Sequence, residues 1–287
     1  MIQASNIFRP NEALQDRRHP KRGKYPIALT IAGFDPSSGA GITADLKVFA
    51  AHGIYGLAAV TALTVQSTQG VRRIEPVSQE TLRETLECLA EDVRISGVKI
   101  GMVANEALIK EICDFLAKSG IAAEKIVLDP VLKSSSGHNL LTAKGLRRMK
   151  SDLLPLVGWV TPNIMELGIL AEMPVSGRND VAKVTEKLAG NYPALNVVAT
   201  GGHLDPPDDF LRTLDGLTQW FPGPRVQTTA THGTGCAFSS ALLARLLAGD
   251  PPGEAVLAAK TYVAEAMKAA RPIGKGRGPL HHLYRLD

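Results

Sequence analysis

From residue 25 onward the chain alternates between short apolar runs and longer segments in which apolar residues recur every three to four positions. An unbroken apolar run such as residues 27–32 is typical of a strand buried on both faces, whereas the longer recurrence predicts amphipathic helices. The pattern predicts strands over 27–32, 55–65, 98–102, 125–128, 159–161 and 197–200. It predicts helices over 39–51, 78–92, 105–118, 142–154, 163–170, 181–188, 237–248 and 253–270.

The order of these segments predicts the fold class. Strand followed by helix, repeated along the chain, indicates an α/β protein with a mostly parallel sheet flanked by helices. Asp215-Gly216 predicts a hairpin turn between two further short strands. Because ligands of such sheets gather at the carboxyl ends of the strands, the polar residues that follow each strand are the candidates for a site.

Length and cysteine content set the limits of the interpretation. The 287 residues allow one large α/β domain or two small ones, and 45% hydrophobic and 21% charged residues are ordinary for a globular protein. Cys88, Cys113 and Cys236 form neither a disulfide framework nor a zinc pattern, so we expect a reducing, cytoplasmic location. We expect Cys88 and Cys113, which lie in helical patterns, to belong to the core. No apolar run reaches membrane-spanning length and no signal peptide is visible, so we expect a soluble protein without a membrane partner.

Residues 1–24 account for the charge of the protein. They carry six basic and two acidic side chains, a balance of +4 that equals the formal net charge of the whole chain. Binding to nucleic acid or to an anionic surface is one interpretation, and a solvated, partly disordered extension is the other. We adopt the extension, expect no nucleic-acid partner, and place the folded domain at residues 25–287.

The sequence 231–236, THGTGC, precedes the predicted helix at 237–248. Small residues let backbone amides converge there, and the helix directs the positive end of its dipole to the same point, which together favour an anion hole. Helix–sheet packing uses glycines in the same position, so the motif alone leaves both readings open. Cys236 places a thiol at the helix N-terminus, where thiol pKa values fall and a base or nucleophile can arise. A small buried cysteine is the alternative.

Two clusters in the first third of the chain follow predicted strands. Residues 33–41, GFDPSSGAG, have neither dinucleotide-binding nor P-loop spacing. Asp45, just beyond them, is either a ligand-binding carboxylate or, as we favour from the residues alone, a surface helix residue. Gln66 presents a hydrogen-bond donor and an acceptor side by side, which suits the edge of an aminopyrimidine, or it is a turn residue satisfied by the backbone.

Two later clusters carry carboxylates. Asp129 follows a strand and precedes the serine-rich residues 134–136. Asn163 and Glu166 are one helical turn apart, where a network of Mg²⁺-bound waters could be held. An N-capping Asn163 with an exposed Glu166 gives the same pattern, so the residues leave both interpretations open.

The chain resembles a known family through motifs that occur in one order from about residue 25 to 282. These motifs are LTIAGFDPSSGAGITADLK, TALTVQSTQGV, VKIGM, VLDPV, TPNIME, GGH, THGTGCAFSSAL and the C-terminal GKGRGPLHH. They are similar to those of the hydroxymethylpyrimidine/phosphomethylpyrimidine kinases of thiamine biosynthesis, within the ribokinase superfamily. The resemblance implies a ribokinase-like three-layer fold and a kinase that uses ATP and Mg²⁺.

The resemblance also implies roles for individual residues. Gly233, Thr234 and Gly235 would form an anion hole for the transferring γ-phosphoryl group. Cys236 would be the catalytic base. The pyrimidine pocket would consist of Gly33, Asp45, Gln66 and Met102. Nucleotide and phosphate contacts would come from Lys133, Asn163, Thr200 and Gly202. The acidic residues that organise Mg²⁺ would be Asp129 and Glu166.

Two positions depart from the family pattern. Thr200 stands where related kinases often have a lysine before Gly-Gly-His. In the loop after Asp129, Ser135 stands where related kinases often have a second lysine. Lys133 lies two positions before Ser135, and its long stem lets it substitute.

The implied reaction is an in-line transfer of the γ-phosphoryl group of MgATP to the hydroxymethyl oxygen of the pyrimidine, followed by a second transfer to the monophosphate. Pyridoxal kinases share the cysteine-containing anion hole, so pyridoxal is an alternative acceptor, although Gln66 favours the pyrimidine. A non-catalytic sensor on the same fold is an alternative of another class, against which the intact Gly-Thr-Gly-Cys argues. By analogy we expect a homodimer, and we expect structural or surface roles for the histidines.

Overall fold

The computed structural model describes residues 25–134, 137–202 and 204–286. The strands are β1 Ile27–Phe34, β2 Tyr55–Ser67, β3 Gly70–Pro76, β4 Gly97–Ile100, β5 Ile126–Leu128, β6 Trp159–Val160, β7 Asn196–Ala199, β8 Asp209–Arg212 and β9 Thr218–Phe221. The helices are α1 Gly41–Ala51, α2 Gln79–Asp92, α3 Glu106–Ser119, α4 Ala143–Arg148, α5 Ile164–Ala171, α6 Arg178–Asn191, α7 Thr234–Leu247 and α8 Pro252–Lys268.

The strands form one sheet in the order β3-β2-β1-β4-β5-β6-β7-β8-β9. The six strands from β2 to β7 in this order pair in parallel, and only β3, β8 and β9 are antiparallel to their neighbours. The turn at Asp215-Gly216 joins β8 to β9 as predicted, with Gly216 at φ 87°. The predicted mostly parallel sheet is therefore confirmed.

Helices cover both faces of the sheet. Successive strand residues contribute to opposite sides: Ala28 packs with residues of α1, α7 and α8, whereas Leu29 packs with residues of α2, α3, α5 and α6. The same alternation occurs in β5, where Val127 faces the first group and Leu128 the second. Two apolar cores separated by a sheet give the three layers that the resemblance implies.

Four of the eight α-helices in the described residues begin at a polar side chain that caps them. Asn105 accepts hydrogen bonds from the backbone N–H groups of Ala107 and Leu108, 3.1 Å each, and α3 starts at the next residue. Ser78 caps α2 in the same way through Thr81. Such caps satisfy backbone donors that have no partner within the helix.

Two predicted features differ from the structure. The single helix expected at 142–154 is α4 followed by a wide π-helical turn, Met149–Leu153, and a 3-10 turn, Leu154–Leu156. Pro155 lies in this last turn, and because it has no N–H it cannot continue α-helical hydrogen bonding. Strand β3 was not predicted, since it lies at the sheet edge and all of its residues are exposed or half-buried, so it has no apolar period. The division into a tail and a domain remains an expectation, because residues 1–24 lie outside the described residues.

Candidate active site

The residues predicted for the site lie along one edge of the sheet. Gly33 is near the end of β1, Met102 follows β4, Asp129 follows β5, Asn163 follows β6 and Thr200 follows β7. Backbone pairing continues beyond the strands at this edge: Asp129 N–H donates to Ile100 at 2.8 Å, and Thr200 N–H donates to Pro162 at 2.9 Å. The carboxyl ends of five parallel strands therefore hold the candidate residues together.

The N-terminus of α7 also faces this edge. The helix begins at Thr234, and its N-cap Gly233 has φ 86° and no side chain to occupy the first-turn amides. A Cβ atom on Gly233 would lie 1.8 Å from the carbonyl oxygen of Gly39, so only glycine lets the two loops approach so closely. The N–H groups of the first turn have no partner within the helix, which makes this point suited to an anion.

Cys236 lies in the first turn of α7 and is partly buried. Burial raises the pKa of its thiol to about 12; Lys99 and the Gly41 N–H oppose this change, and Asp45 and Asp129 add to it. The expectation of a lowered pKa at the helix N-terminus is therefore wrong for the free protein. The helix dipole favours a thiolate, but loss of hydration and two nearby carboxylates outweigh it.

Asp45 lies on α1 with no exposed surface, which contradicts the surface position favoured from the sequence. Its carboxylate accepts hydrogen bonds from Thr30 Oγ1 at 2.6 Å, Ser240 Oγ at 2.8 Å and Lys99 Nζ at 2.9 and 3.0 Å. Lys99 is equally buried, and Asp45 raises its pKa against the effect of burial. Asp45 has no exposed surface from which to contact a ligand, and it joins α1, α7 and the sheet beneath the pocket instead.

Asp129 and Glu166 are both nearly buried carboxylates. Asp129 accepts a hydrogen bond from Ser239 Oγ at 3.2 Å, and burial raises its pKa to about 6. Burial, followed by the charge of Asp129, raises the pKa of Glu166 to about 8. Two neighbouring acids whose charged forms are disfavoured provide oxygen ligands that a cation would stabilise.

Glu166 and Asn163 form a reciprocal cap on α5. The Asn163 side chain accepts from the Met165 and Glu166 N–H groups, both at 3.0 Å, and Glu166 Oε2 accepts from the Asn163 N–H, also at 3.0 Å. The other oxygen of Glu166 accepts from the Leu132 N–H at 3.3 Å. The capping interpretation of Asn163 is correct, whereas Glu166 is buried rather than exposed.

The remaining predicted nucleotide residues are spread around the same edge. Thr200 pairs with Asn163 through an isolated bridge, and Gly202 is exposed just beyond it. Lys133 is exposed and pairs with Asn139 across the loop that follows β5. Ser135 lies outside the described residues, so the comparison between it and Lys133 stays a prediction.

Gln66 lies near the end of β2, half-buried, beside His232. Its amide nitrogen is 3.0 Å from His232 Nε2, and its Oε1 is 3.2 Å from Thr64 Oγ1. His232 Nε2 is also 2.7 Å from Asp35 Oδ2. Gly33 and Met102 are in contact nearby, since a Cβ atom on Gly33 would lie 3.0 Å from the Met102 sulfur.

Sequence reasoning did not assign Asp35 and His232 to the site. Asp35 accepts four hydrogen bonds from the loop that follows β1, and the bond with His232 lowers its pKa even though burial raises it. Both residues lie inside motifs that were recognised, GFDPSSGAG and THGTGC. A histidine directly before the Gly-Thr-Gly sequence was the available signal, but only tertiary structure brings residues 35, 66 and 232 together.

The C-terminal residues 273–279 form a strap beside the pocket. The Arg277 N–H donates to the Thr68 carbonyl at 2.9 Å, and Gly276 packs so closely that a Cβ atom there would lie 2.0 Å from the same oxygen. The strap then pairs with the anion-hole loop, where the His232 N–H donates to Gly278 at 3.1 Å. The strap thus joins the turn after Gln66 to the loop before α7.

The other cysteines give a mixed outcome. Cys88 is exposed, so the expected core position is wrong. It lies two residues after Leu86, which is a buried position of α2, and two residues along a helix turn the side chain to the opposite face. Cys113 is partly buried against the core, and burial raises its pKa to about 12.

Within the described ranges, no group of three or more histidine, cysteine or acidic side chains is arranged to hold a metal ion. No helix among those residues combines the length and apolarity needed to cross a bilayer.

Comparison with known proteins identifies the family. Residues 35–281 match the family model described as phosphomethylpyrimidine kinase. The chain belongs to this family. It is 40% identical over 263 residues to the hydroxymethylpyrimidine/phosphomethylpyrimidine kinase of Rhizobium meliloti (strain 1021), covering 90% of this chain and 97% of that one.

Solved structures of the phosphomethylpyrimidine kinase family and of pyridoxal kinases share the fold. The phosphomethylpyrimidine kinase of Clostridium difficile 630 is 35% identical, with a TM-score of 0.74, covering 85% of this chain and all of that one. The pyridoxal kinase of Staphylococcus aureus, in complex with AMP-PCP and pyridoxal, is 29% identical, with a TM-score of 0.82, covering 91% and 95%. The ribokinase-like fold expected from the sequence is confirmed.

Proposed function

We propose that this member of the phosphomethylpyrimidine kinase family transfers the γ-phosphoryl group of ATP to 4-amino-5-hydroxymethyl-2-methylpyrimidine and then to the resulting monophosphate, as a step of thiamine biosynthesis. One observation carries the proposal: the open N-terminus of α7, the Cys236 thiol, the Asp129 carboxylate and the Gln66 carboxamide all belong to one edge of the sheet. This edge combines an anion site, a group that can accept a proton and a group that can recognise an aminopyrimidine.

The anion site supports in-line transfer. In the proposal, the backbone N–H groups of Gly233, Thr234 and Gly235 bind the oxygens of the transferring phosphoryl group. Phosphoryl transfer depends mainly on positioning and on neutralisation of charge, and both are supplied by rigid backbone donors at a helix N-terminus. Asn163, Thr200, Gly202 and Lys133 would contact the remainder of the nucleotide.

Cys236 would accept the proton of the attacking hydroxymethyl group. In the free protein the thiol keeps its own proton, because burial and the charges of Asp45 and Asp129 raise its pKa. Any neutralisation of Asp129 lowers that pKa, since one of the opposing negative charges is removed. Lys99 and the Gly41 N–H then favour the thiolate next to the acceptor oxygen.

Asp129 and Glu166 fit a Mg²⁺ ion that arrives with the nucleotide. Mg²⁺ is usually bound by one or two carboxylates together with phosphate oxygens and waters, so a site with two protein carboxylates is sufficient. Burial raises the pKa of both acids, so a bound cation would stabilise their charged forms. When bound, Mg²⁺ would neutralise charge on the phosphates.

Gln66 supports a pyrimidine rather than a pyridoxal acceptor. Its carboxamide offers a donor and an acceptor side by side, which matches a ring nitrogen next to an exocyclic amine. Phosphorylation of pyridoxal is the second candidate, because pyridoxal kinases from Bacillus subtilis and S. aureus share the fold at TM-scores of 0.82. The alternative of a non-catalytic sensor is disfavoured, since a sensor does not need a thiol at the anion site.

Location and assembly complete the proposal. All three cysteines are free, which supports a cytoplasmic, reducing environment. Homodimer formation is supported by an exposed apolar stripe on β2, where Leu63 and Val65 point to the same face with 52% and 46% of their surface exposed.

The deciding experiment measures ATP consumption with three acceptors in parallel: the hydroxymethylpyrimidine, its monophosphate and pyridoxal. We expect turnover of both pyrimidines by the wild type and a loss of at least about 100-fold in kcat for Cys236→Ala, as is typical for removal of an acid–base group. Cys88→Ala is the matched control, because Cys88 is exposed on α2. Turnover of pyridoxal alone would support the second candidate, and no turnover of any acceptor would contradict a kinase.

A further inference from the structure

The orientation of the Gln66 carboxamide is determined by its neighbours. The amide lies between His232 and Thr64, with its nitrogen 3.0 Å from His232 Nε2 and its oxygen 3.2 Å from Thr64 Oγ1. The two ends of a carboxamide have nearly the same shape. The donors and acceptors around it therefore decide which end faces which neighbour.

Asp35 decides what His232 can offer. The Asp35 carboxylate accepts from the Ser37 N–H, the Ser37 hydroxyl, the Gly39 N–H and the Ala40 N–H, at 2.7 to 3.2 Å. These partners are all donors, so the carboxylate acts as an acceptor toward His232 as well. His232 Nε2, at 2.7 Å from Asp35 Oδ2, must then carry a hydrogen and donate it.

A ring nitrogen that carries a hydrogen cannot accept another hydrogen bond. An amide nitrogen of Gln66 facing His232 would place two donors 3.0 Å apart. With the amide oxygen on that side, the same Nε2–H is shared between Asp35 and Gln66. The histidine therefore requires the oxygen of Gln66 on its side.

Thr64 requires the same orientation for an independent reason. Its hydroxyl has one hydrogen, and two acceptors lie within reach: the Phe34 carbonyl at 2.9 Å and the Gln66 amide oxygen at 3.2 Å. It donates to the closer Phe34 carbonyl, and its lone pair can then accept from an amide N–H of Gln66. The nitrogen of Gln66 therefore belongs on the Thr64 side.

The His232 ring has little freedom to change this arrangement. A Cβ atom on Gly39 would lie 2.4 Å from ring atom Cδ2, so the ring packs directly against that backbone. The main chain of His232 is held by the strap through Gly278, at 3.1 Å. The donor that faces Gln66 is therefore fixed in space.

We infer that His232, held by Asp35, is a positioning residue that fixes the Gln66 carboxamide with its acceptor on the His232 side and its donor on the Thr64 side. This inference rests on the proposed function, in which Gln66 recognises the pyrimidine edge. One lone pair of the amide oxygen faces His232, and one hydrogen of the amide nitrogen faces Thr64. The other lone pair and the other hydrogen lie side by side and form the edge that binds the ligand. A 4-aminopyrimidine binds with its amine on the His232 side, and a 4-oxopyrimidine, which presents a carbonyl there, is rejected.

The test compares kcat/KM for the 4-amino substrate and for its 4-oxo analogue. We expect the wild type to prefer the 4-amino substrate. His232→Leu removes the fixed donor, so the Gln66 carboxamide can rotate and exchange the positions of its oxygen and nitrogen. We expect the ratio of the two kcat/KM values to fall by about tenfold or more, mainly through KM. His232→Gln keeps an N–H donor near Asp35 and Gln66, and we expect it to retain the discrimination.

Three results would overturn the inference. The first is an equal loss on both substrates in His232→Leu, since that reports general damage rather than orientation. The second is equal loss of discrimination in His232→Gln and His232→Leu. The third is a nitrogen NMR spectrum of the wild type in which His232 Nε2 carries no hydrogen, a measurement that does not depend on activity. If the wild type phosphorylates neither the 4-amino substrate nor its 4-oxo analogue, the result contradicts the proposed function. Failure of the proposed function is thus distinct from failure of the inference about His232.

Discussion

Lys99 and Asp45 show how a pair of buried charges is tolerated in this protein. Neither side chain is exposed, and Asp45 receives hydrogen bonds from Thr30 and Ser240 in addition to Lys99. A buried charge without its partner carries a large desolvation penalty, whereas the hydrogen-bonded pair largely offsets it. The pair thus contributes little on its own but makes each partner indispensable to the other.

Removal of one partner should therefore destabilise the protein. We expect Lys99→Met to lower the free energy of unfolding by about 3 to 5 kcal/mol, because Asp45 is left buried and unpaired. Lys110→Met is the control, since the ion pair of Lys110 with Asp114 is half-exposed and its loss should leave stability nearly unchanged. Urea unfolding of both variants measures the effect. Similar midpoints for Lys99→Met and the wild type would contradict the prediction.

The raised pKa of Cys236 predicts how the thiol reacts. Only thiolates are alkylated, so at pH 8 a thiol with a pKa of about 12 should react far more slowly with iodoacetamide than an exposed cysteine. We expect Cys88 to be labelled at least about tenfold faster than Cys236 in the free protein, and we expect labelling of Cys236 to accelerate as pH rises. Peptide mass spectrometry over time measures both. Faster labelling of Cys236 than of Cys88 at pH 8 would show that a lowered pKa prevails.

At the scale of single residues, the residue types alone left the roles of Gln66 and of the glycines around Cys236 open. The prediction of a site at these positions came from the order of the motifs along the chain, through the resemblance to a known family. The burial of Asp45, on α1, could not be predicted, because its partner Lys99 lies 54 positions away on β4. The same holds for His232, whose role depends on Asp35, 197 positions earlier.

At the scale of elements, the junction between β1 and α1 depends on glycine geometry. Gly41 has φ 57°, and a Cβ atom there would lie 2.1 Å from the carbonyl oxygen of Gly33. The loop between them carries Asp35 and leads to the backbone that packs against His232. A shift at Gly41 would therefore be transmitted to the pocket.

Gly41 and Gly53 form a matched pair for testing this junction. Both have positive φ, but a Cβ atom on Gly53 would meet nothing within 4 Å. We expect Gly53→Ala to lower the free energy of unfolding by only roughly 1 kcal/mol, through backbone strain. Gly41→Ala adds a collision with backbone, so its free energy of unfolding should fall clearly further. Thermal unfolding and the KM for the pyrimidine measure the two effects. Equal losses in both variants would contradict a role for close packing.

The elements themselves were largely predictable, because strands buried on both faces and capped helices leave strong local patterns. Helix α3, with Asn105 before it and Gly120 at φ 64° after it, is marked at both ends. The exceptions are β3, an edge strand with an exposed face, and the helix that changes form before Pro155. In both cases tertiary position or a missing N–H outweighs the local period.

At the scale of the whole molecule, the half-buried His52 couples folding to pH. Burial lowers the pKa of His52 to about 4, from an ordinary value near 6.5. The unfolded chain therefore binds a proton more readily than the native protein between pH 6.5 and 4. The stabilising contribution of neutral His52 is complete above pH 6.5 and is lost as pH falls.

Replacing His52 isolates this contribution from those of other groups. Between pH 7 and 5 we expect the free energy of unfolding to fall by about 2 kcal/mol more in the wild type than in His52→Phe, which has no titrating ring at this position. A difference between two proteins is needed because Glu166, with its pKa raised to about 8, changes stability in the opposite direction. Urea unfolding at the two pH values provides the measurement. Parallel pH dependence in the two proteins would contradict the predicted shift of His52.

The strap at 273–279 has a consequence for synthesis of the protein. Its bonds to Thr68 and to His232 use residues that are synthesised long after Asp35 and Gln66. Contacts that span most of a chain form slowly, because a long loop must close first. A nascent chain can assemble much of the sheet while it is being translated, but the wall beside the turn after Gln66 is absent until residues 273–279 have left the ribosome. The pocket is therefore complete only once this segment has been made, and a product truncated before residue 273 should fold in part yet bind the pyrimidine weakly.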